Sequence, residues 1–275
     1  MTREILAEKI RLSEAATEVV LSFEISEEES ASLRELFLDP DRYDDFEKII
    51  KEKEDPNRYA LGLIFHWAAE SMDIWNRLGI PENIAIDTLR DITIWSNRCF
   101  ERTGKVGLIE WRWFIIHITA RLFRLGRLQF EPIENREDIT LPDGTFIPKG
   151  KQVLSVHIPR GDGFNPTSVK ESFDAANPFF EKYFDTTYDT YVCTSWMLAP
   201  QLDGMIKETS SLADFRRYFT IYGEHLGYSQ AEEYVFLEKI DDKSKYPEDT
   251  SLQRNFKKFL MEGGEMGMGK GAGKF

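Results

Sequence analysis

Among side chains that could do chemistry, His157 stands out by position. It closes the run Val153-Leu-Ser-Val-His157 and is followed at once by Ile-Pro-Arg160-Gly161-Asp-Gly163. The run reads as a strand. A histidine at its end titrates near neutrality and could take a proton; the same position also suits a histidine merely hydrogen-bonded at the rim of a core. Beyond it, Arg160, Gly161 and Gly163 precede a helix that starts near Thr167. Strand, glycine-containing loop and helix N-terminus form an anion cradle, because free amides and the helix dipole face one point. The spacing is neither a Walker loop nor a dinucleotide fingerprint, and a tight turn capped at Thr167 would leave the same trace.

Other groupings have simpler readings beside them. Arg121, Arg124 and Arg127 surround Gly126, a basic cluster in an acidic chain. It could meet a phosphate, or pair with carboxylates such as Asp87 and Asp91. His66 with Glu70, and Asp87 with Asp91, are i, i+4 pairs without the Glu-x-x-His motif of di-iron bundles. Pairing with Arg90 or Arg98 is the expected use, and no metal is expected. Cys193 and Ser195 share one face of Tyr191-Val-Cys-Thr-Ser-Trp-Met197, without a Gly-x-Ser-x-Gly elbow. A buried thiol and a capping hydroxyl are expected there. Near the C-terminus, Gly264-Glu-Met-Gly-Met-Gly-Lys270 begins like a P-loop, but Gly271 stands where Ser or Thr belongs. That segment is expected to be a flexible end.

The elements that must position these groups fall into two halves. The first reads as helix after helix: residues 3–23, 27–38 behind a Ser26/Glu29 capping box, and 41–53. A long helix begins at Asp55-Pro56 and ends at Gly79, with Leu61, Ile64, Phe65, Ala68, Met72 and Trp75 on one face. Helices over 82–102 and 107–125 follow. The period then changes. Leu128-Gln-Phe-Glu131 alternates, 141–147 reads as a turn between short strands, and 152–158, 190–197 and 233–240 read as strands. Helices are expected over 167–184, 211–221 and 249–261. The boundary is expected near residue 125, giving a two-domain α+β or α/β chain with an all-α domain over 1–125 and a mixed-sheet domain over 126–275.

Composition narrows the function classes. With 275 residues, 41% hydrophobic and 30% charged, the chain can bury two ordinary cores. A net charge of −13 argues against nonspecific nucleic-acid binding and against an anionic membrane surface. No apolar run approaches the roughly 18 residues of a membrane span. Two cysteines build no disulfide framework, residues 1–10 are mixed and charged, and a cytoplasmic location is expected.

One resemblance gathers these pieces. Leu78-Gly-Ile-Pro81 with Asp87 and Asp91 is followed by Arg121-Leu-Phe-Arg-Leu-Gly-Arg-Leu-Gln-Phe-Glu131 and Val156-His-Ile-Pro159. Ser172-Phe-Asp-Ala-Ala176, Cys193-Thr-Ser-Trp196, Asp214-Phe-Arg-Arg-Tyr-Phe219 and Thr250-Ser-Leu-Gln253 continue the series. In that order they resemble a bacterial family joining a helical N-acyltransferase N-terminal domain to a GNAT-like C-terminal domain. The resemblance implies transfer of an acyl group from acyl-CoA to an amine of a small molecule or peptide. It implies a pocket where strands 152–158 and 190–196 splay apart. It places the CoA pyrophosphate on Arg160, Gly161 and Gly163, with Arg127 nearby, although the loop departs from the usual GNAT spacing. His157 would be the base and Tyr218 the acid for the leaving thiolate. The alternative is a GNAT-like binding or sensory protein without the chemistry.

Overall fold

The computed structural model describes residues 1–161, 163–227 and 230–275. The chain divides into two compact units: Met1–Arg124 with Pro159–Gly161, and Leu125–Ile158 with Asp162–Phe275.

The first unit is helical. Its helices are α1 (Arg3–Lys9), α2 (Glu14–Ser22), α3 (Glu27–Leu38), α4 (Tyr43–Lys51), α5 (Pro56–Arg77), α6 (Glu82–Leu89), α7 (Asp91–Thr103) and the single turn α8 (Ile115–Ile118). Helix α5 has 22 residues, about 33 Å at 1.5 Å per residue. The Asp55 side chain accepts from the Arg58 amide, and Pro56 occupies the first turn, where a missing N–H costs nothing. Leu61, Leu63, Ile64, Phe65, Trp67, Ala68 and Trp75 are fully buried, so α5 is covered around most of its girth. Phe37, Phe46 and Trp67 pack ring to ring, and Trp67 Nε1–H donates to Ser30 Oγ at 3.0 Å, which satisfies its one polar atom.

The second unit is a six-stranded sheet in the order β1-β2-β5-β6-β8-β7, with a separate β3–β4 hairpin. The strands are β1 (Phe123–Leu125), β2 (Leu128–Glu134), β3 (Ile139–Thr140), β4 (Phe146–Ile147), β5 (Gln152–His157), β6 (Thr190–Ser195), β7 (Thr220–His225) and β8 (Met268–Lys274). Helix α9 (Pro166–Phe184) crosses from β5 to β6, which are parallel; β2 with β5, β6 with β8 and β7 with β8 are antiparallel. One sheet face packs on α9 through Phe130, Tyr191 and Phe173. On the other, Val153 and Ala272 are covered by Ile139, Leu141 and Ile147 of the hairpin. Between β7 and β8, α11 (Gln230–Val235) and α12 (Ser251–Met261) carry a second small core of Phe236, Tyr246 and Phe256; α10 (Ser211–Arg216) precedes β7.

Six expectations are corrected. Residues 3–23 break at Arg11, whose φ is 60°, into α1 and α2, and the 211–221 helix ends as α10 at Arg216, with β7 following from Thr220. The 107–125 segment is not one helix: Ala120 takes a left-handed φ of 50°, the helix stops at α8, and the chain enters β1. Residues 82–102 break at Arg90 into α6 and α7. The 233–240 run is not a strand: α11 ends at Val235, and Phe236 is buried against Tyr246 and Phe256. Short apolar runs do not distinguish strand from helix by period. The glycine-rich end is β8, flanked by β6 and β7. Its glycines alternate because partners press on that face. A Cβ at Gly269 would lie 1.9 Å from the Leu198 carbonyl oxygen, and one at Gly271 2.8 Å from Phe219 Cβ.

Candidate active site

The site is built from the carboxyl ends of β5 and β6. Strand β5 is paired with β2 over its whole length, from Glu134↔Gln152 to Gln129↔His157, and β6 is likewise paired with β8 from Thr190↔Lys274 to Ser195↔Gly269. Between β5 and β6 the pairing covers only Leu154↔Tyr191 and Ser155↔Val192. Both strands run on, to His157 and Ser195, without continuing their ladder. Backbone N–H and C=O groups must find partners somewhere, which makes the strand ends beyond this short ladder a candidate place for a ligand backbone or polar chain.

His157 stands at the edge of this seam. Strand alternation puts Gln129 and Glu131 of β2 and Ser155 and His157 of β5 on the face opposite α9. Glu131 lies diagonally across the ladder, and its Oε2 is 3.0 Å from His157 Nε2, with side chains 13% and 25% exposed. A carboxylate only accepts, so Nε2–H is the donor in this contact. Gln129, directly opposite His157, is 1% exposed, and neither atom of its amide has a hydrogen-bond partner among the described residues.

The phosphate-loop residues are placed differently from one another. Gly161 and Gly163 have φ of 140° and 76°, backbone that only glycine adopts without strain. Asp162 lies outside the described residues. Asn165 caps α9 by accepting from the Ser168 amide at 3.0 Å, while its Nδ2 donates to the Gly163 carbonyl at 3.1 Å. Arg160 is bound to the Glu101 carboxylate at 2.6 Å, which also receives Arg98 at 3.3 Å. Burial alone would raise the Glu101 carboxyl, but the guanidiniums, Arg160 first, hold it below the usual carboxylate range. Arg127 is buried; its amide donates to Ser172 Oγ at 2.8 Å, and its guanidinium lies 5.2 Å from the Phe164 ring centroid. These contacts hold the β1–β2 turn against α9.

Tyr218 is not brought to His157. Its ring stacks on Phe173 at 4.5 Å, on the α9 face of the sheet, whereas His157 is on the other face. Burial first, then Asp174 and Asp214, raises its hydroxyl above the ordinary value, against the opposing pull of Lys170. Cys193 is 2% exposed and burial pushes its thiol up to about 12, so no thiolate nucleophile forms there. Ser195 Oγ accepts from the Met197 amide at 3.2 Å. The acidic pairs of the helical unit also have protein partners: His66 with Glu70 at 3.2 Å and Asp87 with Arg90 at 2.9 Å. Asp91 meets the fully buried His117 at 3.0 Å, accepts from Trp113 Nε1–H at 3.0 Å, and with Asp87 attracts the Arg124 guanidinium.

The GNAT-like C-terminal domain matches residues 122–273, and the N-acyltransferase N-terminal domain matches residues 1–120. The chain belongs to the family with a GNAT-like C-terminal domain. No curated protein sequence matches it. Among solved structures, an acyltransferase in complex with decanoyl-CoA and teicoplanin is 21% identical with a TM-score of 0.77, covering 99% of this chain and 87% of that one. A mutant acyltransferase with octanoyl-CoA gives 21%, 0.78, 99% and 87%. An acyltransferase with decanoyl-CoA gives 20%, 0.68, 100% and 100%. At these identities the likeness shows the fold. Within the GNAT-like domain, the sequence pointed to His157 and to the two strands of the seam. It did not point to Glu131 or Gln129, although the alternation of Leu128-Gln-Phe-Glu131 puts both on one face.

Proposed function

We propose that the protein transfers an acyl group from acyl-CoA to an amine. The observation that carries this reading is the two-pair ladder between β5 and β6, with His157 at its open end. The pantetheine arm extends along the seam, and the thioester carbonyl lies near the carboxyl end of β5. The amine nitrogen attacks the carbonyl carbon; the C–N bond forms and the C–S bond breaks. His157 Nδ1 takes the proton from nitrogen and returns it to the departing thiolate, so one residue serves as base and acid. Tyr218 has no part in this scheme. Complexes of similar folds with decanoyl-CoA and octanoyl-CoA support a medium-chain acyl donor, and those with teicoplanin support a small-molecule acceptor that carries an amine.

A binding role without chemistry is favoured by one feature. Arg160 is held by Glu101, and the first turn of α9 is closed by its own capping box, so the usual pyrophosphate groups are already engaged. Thiol release decides between the readings. Decanoyl-CoA with teicoplanin, and with a panel of simple primary amines, is expected to release free CoA in proportion to enzyme. Decanoyl-CoA binding without thiol release for any amine would favour the binding role.

A further inference from the structure

We infer that Glu131 is the positioning residue for the base His157, an inference that rests on the acyl-transfer reading above. The pair is diagonal across the β2–β5 ladder, with Nε2 to Oε2 at 3.0 Å, and both side chains are mostly withdrawn from solvent. The ladder beneath it is complete, from Glu134↔Gln152 to Gln129↔His157, so the carboxylate is presented from a rigid edge rather than a loop. Two consequences follow from chemistry alone. An acceptor-only partner fixes the Nε2–H tautomer and directs the Nδ1 lone pair away from β2. When Nδ1 takes the amine proton, the imidazolium forms against an anion that is already in place, so no solvent need reorganise. Glu131 touches neither donor nor acceptor in this arrangement; it acts through the imidazole.

Glu131→Gln keeps shape and volume but offers an amide that can donate to Nε2 as well as accept from it, so the tautomer is no longer fixed. With decanoyl-CoA and teicoplanin, kcat is expected to fall roughly 100-fold or more, while the Kd for decanoyl-CoA stays within about twofold, because a transition-state contact has been lost. Glu131→Asp should recover part of the loss. A loss of less than about threefold, or a Kd that weakens in step with kcat, would overturn the assignment. A second readout does not depend on turnover. The chain has four histidines, so ¹⁵N-histidine spectra are simple, and His157→Gln identifies the His157 signals. Wild type is expected to show His157 as the Nε2–H tautomer, and Glu131→Gln a mixture. An unchanged tautomer in the variant refutes the positioning role. If the wild type releases no thiol with teicoplanin, the acyl-transfer reading fails with that acceptor, and the tautomer spectra alone decide whether Glu131 orients the ring.

Discussion

Enclosing a carboxamide with both ends unbonded is costly, and Gln129, opposite His157 in the β2–β5 register, has no hydrogen-bond partner for either end among the described residues. Each unmade bond of a buried polar group costs about 1–3 kcal/mol. Gln129→Met, similar in length and without those groups, is therefore expected to raise the urea midpoint at an unchanged m-value. A lower midpoint would show that the amide has a partner worth more than its desolvation. Cys193 makes a second residue-scale case. With its thiol pushed up to about 12, only about one molecule in ten thousand carries the thiolate at pH 8. Iodoacetamide should leave it unmodified in the folded protein and alkylate it in urea; rapid labelling of native protein would contradict the burial. His157 was legible in the sequence because residue type and strand end carry information. Its partner was not, because Glu131 reaches it only through the β2–β5 register, and the 17 residues between Glu134 and Gln152 do not determine a register by spacing alone.

The seam depends on β8, since β6 is free to part from β5 only while its other edge is held. Gly269, Gly271 and Gly273 make that pairing possible by letting Leu198, Phe219 and Tyr218 approach the strand. Gly269→Ala would put a methyl group 1.9 Å from a carbonyl oxygen, and the loss should reach or exceed the upper end of the roughly 1–3 kcal/mol typical of overpacking. Denaturant unfolding checks this, with Gly263→Ala as a comparison where no atom lies within 4 Å but the left-handed φ of 85° still imposes strain. Truncation before Met268 is expected to give insoluble or protease-sensitive protein; a stable truncated chain would return the segment to the status of a loose tail. Composition read this stretch as flexible, yet glycines at every second position from 267 to 273 are themselves a strand period. The long helix α5 and the crossover helix α9 were legible from capping residues and apolar spacing. Strand β7 was hidden because the helical reading of 211–221 ran through its first residues.

At the scale of the whole molecule, acidity and burial set the solution behaviour. Burial pushes Cys193, Tyr191 and Tyr222 up to about 12. From about pH 9 for Cys193 and about pH 10 for the two tyrosines, up to about pH 12, the unfolded chain loses these protons and the folded chain keeps them. Stability therefore falls as pH rises through that window and is unaffected by these groups below it. The urea midpoint should be lower at pH 10.5 than at pH 8, and an unchanged midpoint would mean these groups ionise alike in both states. The helical character of the first unit followed from the helical hydrophobic period of the first half of the sequence, whereas the short β5–β6 ladder is a property of tertiary pairing that no local pattern encodes. The central claim is that acyl-CoA occupies this seam. Hydrogen exchange of the wild-type protein, with and without saturating decanoyl-CoA, tests it directly. Amides at the carboxyl ends of β5 and β6, residues 155–158 and 193–196, are expected to slow at least about tenfold while β3 and β4 stay unchanged. Equal exchange at both strand ends with and without decanoyl-CoA would contradict the claim.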